Sequence, residues 1–200
     1  MNYSKKKRNS WTDHYTHKAK KDGFPARSVY KLKEMQRKFR LIRKGDRVLD
    51  LGCAPGSWLK YTADQVGKGG HVVGVDLKPV LISLPAHVQI FTGDVFEMFE
   101  VLSKLAGAGY NIVLSDMAPE TTGHKSVDAA RSFELSLMAL TLAQKLLLPK
   151  GRFVCKIFQG ENFQHYMELI KTTFEKHKNF KPKSTRKASR EIYILGFERR

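Results

Sequence analysis

Short apolar runs alternate with longer stretches of helical period along most of this chain. Residues 47–51 (RVLDL) have the length and composition of a buried strand. Residues 57–66 read as a helix that ends near Gly67, Lys68, Gly69 and Gly70. A second strand follows at 71–76 (HVVGVD), a third at 88–92 and a fourth at 112–115. The stretch 131–148 is apolar on most faces and predicts a long buried helix. Pro149, Lys150 and Gly151 then turn the chain into a fifth strand, 152–158 (RFVCKIF). Another helix is expected at 163–173 and a last strand at 191–197 (EIYILGF). Ahead of these, Ser28 is placed to cap a helix that runs through Phe39, with Leu32, Met35 and Phe39 on one face. Residues 1–22, with Lys5, Lys6, Lys7 and Arg8, read as a flexible basic arm before a single domain, 23–200. Strands and helices alternating at these lengths predict an α/β fold. We expect a Rossmann-like doubly wound, mostly parallel sheet with helices on both faces.

Composition narrows the class. Two hundred residues can bury a hydrophobic core without staples. Cys53 and Cys155 are the only cysteines and form no CxxC pair, so we expect neither a zinc site nor a disulfide framework. No apolar run reaches the roughly 18 residues of a membrane span. The basic N-terminus has no apolar segment of a secretory signal. These features predict a cytoplasmic, monomeric protein without metal or membrane partner.

Charge changes the picture more. The net charge is +17, but residues 1–44 carry 15 Lys/Arg against 3 acids and residues 171–200 carry 10 against 3. The stretch between them has 11 against 13. A near-neutral centre flanked by basic ends points to a polyanion gripped by both termini, and nucleic acid is the favoured partner.

In a doubly wound sheet, ligands bind beyond the carboxyl ends of the strands. After the first strand come Gly52 and Gly56, followed by Trp58 at the start of the next helix. Glycines there let a ligand approach the backbone closely. After the second strand comes Asp76, placed to accept hydrogen bonds from both hydroxyls of a ribose. After the third comes Asp94, whose carboxylate suits an adenine amino group. After the fourth comes Asp116. Each residue alone has an ordinary structural explanation: a turn, a cap or a core position. Together they describe an adenosine-binding crevice. The glycine spacing departs from G-x-G-x-x-G, which disfavours a pyrophosphate cradle and an NAD-dependent dehydrogenase. Lys156 stands among Phe153, Val154, Cys155, Ile157 and Phe158. A lysine in such surroundings is seldom buried without a partner. It is either a lysine snorkelling at a strand end or one whose neutral form is favoured there, able to act as a general base.

The blocks DLGCAPGSW, SDMAP, FVCKIFQGE and SREIYI, in this order and spacing, strongly resemble the FtsJ (RrmJ, RlmE) family of ribosomal RNA 2′-O-methyltransferases. The resemblance runs from about Arg27 to Phe197. It implies a class I fold that takes S-adenosyl-L-methionine. It also implies a Lys-Asp-Lys-Glu tetrad made here of Lys31, Asp116, Lys156 and Glu191, and a donor site lined by Gly52, Gly56, Trp58, Asp76, Asp94 and Asp116. The implied substrate is the ribose 2′-hydroxyl of a uridine in large-subunit ribosomal RNA, methylated on the assembled subunit. In that reading Lys156 is the base, Lys31 and Asp116 orient it and the ribose oxygen, and Glu191 positions Lys31. Arg27, Lys31, Arg37, Lys38 and the segment 181–190 would hold RNA phosphates. Two alternatives stay open: a transfer-RNA ribose methyltransferase, and a non-catalytic ribosome-assembly factor that keeps the fold as an RNA-binding platform.

Overall fold

The computed structural model describes residues 10–200, with side chains from His14 onward. The run Lys5 to Arg8 lies outside these residues. Seven strands form one sheet: β1 (Arg47–Leu51), β2 (His71–Asp76), β3 (Val88–Thr92), β4 (Tyr110–Ser115), β5 (Leu147–Phe158), β6 (Phe174–Phe180) and β7 (Glu191–Arg199). Their order is β3-β2-β1-β4-β5-β7-β6. The first five in that order run parallel; β7 is antiparallel to β5 and to β6. The strand order reverses between β1 and β4, and a crevice opens there beyond the carboxyl ends.

Strand alternation divides the core. Leu49, Leu51, Val73, Val113, Phe153 and Cys155 point to one face. They pack there on α4 (Phe99–Ala106), α5 (Lys125–Leu146) and α6 (Phe163–Thr173). Val48, Val72, Ile112, Leu114, Val154 and Tyr193 point to the other, against α2 (Val29–Phe39) and α3 (Ser57–Val66). The expected doubly wound architecture, with helices on both faces, is therefore present.

Several local expectations change. Residues 10–21 of the expected flexible arm are helical (α1, Ser10–Lys21), with Ala19 buried beside Phe24, Val29 and Tyr30. Ser28 occupies the N-cap of α2, but its side chain makes no capping bond. The long helix begins at Lys125 rather than 131. Its first turn is set by Asp128, whose Oδ1 accepts the Thr122 amide at 2.7 Å and the Thr122 hydroxyl at 2.9 Å. It ends at Leu146, because Leu147 already pairs with Tyr110 in the sheet. Pro149, Lys150 and Gly151 form an irregularity inside β5, with Lys150 at φ 62°. Strand β6 and helix α4 add elements to the sequence reading.

Candidate active site

The side chains that meet at the sheet's upper edge come from four elements. Lys156 and Tyr193 are paired residues of β5 and β7 and share one face. That face carries α2, which brings Lys31 over it, while Glu191 opens β7 two residues before Tyr193. Asp116 follows β4 directly and is tied to β1 by its amide, which donates to the Leu51 carbonyl at 3.1 Å. The Lys156 ammonium lies 3.0 Å from Asp116 Oδ1 and also donates to the Asp116 carbonyl. The Tyr193 hydroxyl donates to the same Oδ1 at 2.6 Å. Lys31 pairs with Glu191 at 2.6 Å and sits 5.8 Å from the Tyr193 ring centroid. Lys31, Asp116, Lys156 and Glu191, far apart in sequence, are thus brought into one polar cluster. Lys156 is paired, so the snorkelling alternative is set aside; the side chain is only 6% exposed.

Burial by itself would raise the Asp116 carboxyl. The nearby Lys156 ammonium, then Lys31, then hydrogen bonds from Tyr193 and Lys156 outweigh it and hold the group below the ordinary carboxylate value. Burial, with the negative charges of Asp116 and Glu191, raises the Tyr193 phenol far above its usual value. Tyr193 therefore stays protonated and serves as a donor.

Two cavities meet this cluster. One, of about 370 Å³, is the crevice at the switch point. Gly52, Asp76, Gly93, Asp94, Phe96 and Asp116 are among its walls. The other, of about 470 Å³, is basic and is lined by Arg27, Lys31, Arg186, Ala188, Ser189 and Glu191. In it, burial and then the neighbouring Arg186 lower the Arg27 guanidinium, opposed by Glu191. The Nη1 of Arg27 has no hydrogen-bond partner among the described residues. An unpartnered guanidinium N–H there suits an anion.

A family model for FtsJ-like methyltransferases matches residues 24–199. The chain belongs to the FtsJ-like methyltransferase family. Curated relatives of this FtsJ-like chain are named ribosomal RNA large subunit methyltransferase E, and two illustrate the match. One, from Desulforapulum autotrophicum, is 54% identical over 96% of this chain and 95% of its own length. The other, from Desulfatibacillum aliphaticivorans, is 52% identical over 100% and 97%. A solved ribosomal RNA methyltransferase of Plasmodium falciparum superposes with a TM-score of 0.76 at 26% identity, covering 88% of this chain and 98% of that one.

The crevice of this FtsJ-like methyltransferase contains some of the expected donor-site residues and not others. Gly52, Asp76, Asp94 and Asp116 line it. A methyl added at Gly52 would lie 2.8–2.9 Å from Met117, and the backbone there has φ +76°, so only glycine fits the wall. Asp76 also ties down the neighbouring backbone. Its Oδ2 accepts the Ala54 amide and its Oδ1 the Lys78 amide, each at 2.8 Å. Asp94 Oδ1 accepts the Phe96 amide at 3.0 Å. Each carboxylate has lone pairs left for a ligand. Gly56 and the Trp58 ring lie elsewhere. Gly56 is covered by Val80 and Ile82, which a Cβ would meet at 2.7–2.8 Å. The Trp58 indole is buried in the core, donates to the Ser28 carbonyl at 2.9 Å and packs 6.0 Å from Tyr193. Its hydrophobic size, not a stacking role, decided its direction.

Two groups at the site were missed by sequence reasoning. Tyr193 links both halves of the cluster, and its only sequence signal was a polar ring inside EIYILGF. Asp50 is fully buried with neither carboxylate oxygen bonded among the described residues. Burial, then Asp116 and Asp76, raise its carboxyl well above the ordinary value. The glycine wall and the two strand-end acids fit a donor that carries a ribose and an adenine. Among the described residues, no group of three or more His, Cys, Asp or Glu is placed to hold a metal ion. No helix among them is long and apolar enough to cross a membrane.

Proposed function

We propose that this chain transfers the methyl group of S-adenosyl-L-methionine to the ribose 2′-hydroxyl of a uridine in large-subunit ribosomal RNA, on the assembled subunit. The observation that carries the reading is the position of the polar cluster between two cavities. Asp116 belongs to the crevice wall, whereas Lys31 and Glu191 belong to the basic cavity. Lys156 and Tyr193 join them through Asp116 Oδ1. A donor in the crevice and an RNA ribose in the basic cavity would then meet over Lys156. The relatives' names support ribosomal RNA as the acceptor.

The bound donor supplies an electrophilic methyl on a sulfonium, whose leaving thioether is neutral. The demanding step is therefore activating a hydroxyl that is a poor nucleophile at neutral pH. Once its ammonium has given up a proton, Lys156 accepts the hydroxyl proton as the oxygen attacks. Asp116 aims the Lys156 side chain, and Tyr193 fixes the carboxylate oxygen that does so. Glu191 holds Lys31 beside the ribose, and Lys31 adds positive charge near the developing oxyanion. Asp76 and Asp94 take the donor's ribose hydroxyls and adenine amino group. Gly52 contributes by letting the donor approach the backbone closely. Arg27 and Arg186 grip phosphates flanking the target. Much of the acceleration comes from holding oxygen, methyl and sulfur in line. The protein acts as a soluble cytoplasmic monomer, and residues 23–200 work as one domain.

Labelled S-adenosyl-L-methionine incubated with separate pools of large subunits, free ribosomal RNA and transfer RNA tests this. Label is expected in the subunit pool, on a ribose. Label in transfer RNA alone would overturn the ribosomal assignment, and label in no pool would overturn the enzymatic one.

A further inference from the structure

Helix α1 has a consequence for RNA binding. With α2 and the segment 181–190 it encloses a cavity of about 360 Å³, separate from the two at the active site. Four cations line it: Lys18, Lys33, Arg37 and Lys183. So do two carboxylates, Asp22 and Glu34, and both are already satisfied by neutral donors. Asp22 Oδ2 accepts the Tyr30 hydroxyl at 2.9 Å. Glu34 accepts the amides of Lys183 and Ser184 at 2.7 and 2.9 Å. The ion pairs among the described residues are Lys31–Glu191, Arg152–Asp46, Lys156–Asp116 and Lys176–Glu198, and none uses a cation of this cavity. Its wall thus carries an excess of two positive charges, and none of its cations is held in one of those ion pairs.

Its remaining walls are aromatic. The Tyr15 and Tyr30 rings meet at 5.3 Å with a 50° tilt. The ammonium groups of Lys18 and Lys33 lie 5.1 and 5.6 Å from the Tyr30 centroid. Cations interleaved with rings suit an unpaired nucleotide, which offers a phosphodiester and a flat base together. Position supports the same occupant. Lys31 and Arg37 are on one helix, and six residues of α2 span about 9 Å. The segment 181–190 lines both places, with Lys183 here and Arg186 and Ser189 beside Lys31. One RNA strand can follow this strip from the target ribose outward.

We propose that this cavity binds an unpaired nucleotide of the RNA substrate, flanking the one that is methylated. Its base lies against the half-buried Tyr15 ring, which is backed by the buried Tyr30, and its phosphate contacts Lys18, Arg37 and Lys183. The proposal rests on RNA being the acceptor.

The test uses the full chain with a short fluorescein-labelled single-stranded RNA and a duplex of the same sequence, alongside methyl-transfer kinetics on large subunits. Arg37→Ala with Lys183→Ala, both exposed side chains, should lower the salt-dependence slope for the single strand by about 0.7, the value of one phosphate contact. Tyr15→Leu should weaken single-strand binding roughly tenfold and leave duplex binding nearly unaffected, while Tyr15→Phe keeps the affinity. In kinetics, KM for the RNA substrate should rise by a similar factor, without a matching fall in kcat. Unchanged affinity in the double variant would overturn the proposal. Equal losses for single strand and duplex would overturn it too, since they describe a general polyanion surface. If RNA were not the acceptor at all, the wild-type chain would transfer no label to it, a result distinct from any of these.

Discussion

Replacing Lys156 by Met separates the chemistry of the cluster from its part in binding. The substitution keeps the aliphatic stem and removes the ammonium 3.0 Å from Asp116. Loss of a general base lowers turnover by about 10²–10⁴-fold. The donor has no reason to leave, because Lys156 is not part of the crevice wall. Affinity for S-adenosylhomocysteine should stay within about threefold, under 0.7 kcal/mol. Stability should also fall. Breaking a buried ion pair from one side costs about 3–5 kcal/mol. Asp116 is 15% exposed and keeps the Tyr193 hydroxyl at 2.6 Å, so we expect the loss to be smaller, about 1–3 kcal/mol. This loss has a pH signature. In the folded wild type, Asp116 lies below its ordinary value; burial opposes this, and the Lys156 ammonium is the leading influence that lowers it. A carboxyl depressed on folding stabilises above its unfolded pKa, about 3.9, and that stability is lost as pH falls through the folded value. The gap between wild type and variant should therefore be full at neutral pH and close below about pH 4. Single-turnover methyl transfer at saturating donor measures the first effect. Urea unfolding across pH measures the second. Near-normal turnover would remove Lys156 from the role of base, and a gap independent of pH would refute the electrostatic account.

Tyr193→Phe deletes the hydroxyl that fixes Asp116. Turnover should fall roughly tenfold, about 1.4 kcal/mol, with donor affinity intact by calorimetry, and unchanged turnover would show that Lys156 alone orients the carboxylate. Asp50→Asn tests the unpartnered carboxyl. A carboxyl raised on folding contributes its stability below the unfolded pKa and loses it as pH rises through the folded value. Thermal melting should therefore favour the variant increasingly as pH rises, whereas a constant difference would contradict the burial argument. Gly52→Ala places a methyl within 2.9 Å of the Met117 backbone at φ +76°. We expect weaker donor binding together with roughly 1–3 kcal/mol lower stability; a variant with wild-type affinity would mean that the crevice wall yields.

The sequence by itself determined the order of strands and helices around the crevice, because buried parallel strands are short apolar runs and need no distant partner to be recognised. It also determined the chemistry after each strand, since Gly52, Asp76, Asp94 and Asp116 follow those runs directly. Other features depended on contacts that no local pattern contains. Strand β6 (FEKHKNF) lies at the sheet edge with its charged residues outward, so its apolar signal is thin. Helix α1 looked like a polar arm until Tyr15 and Ala19 found the aromatic cluster around Tyr30. The direction of the Trp58 ring was set by space in the core, which removed it from the crevice. Tyr193 became part of the site only because antiparallel register set it opposite Lys156. The basic termini were visible as charge, but only folding brought α1, α2 and the segment 181–190 together. Residue type and spacing specify what a side chain can do. Register and packing decide which side chains meet, because those choices are made by groups that are distant in the sequence, 77 residues apart for Tyr193 and Asp116.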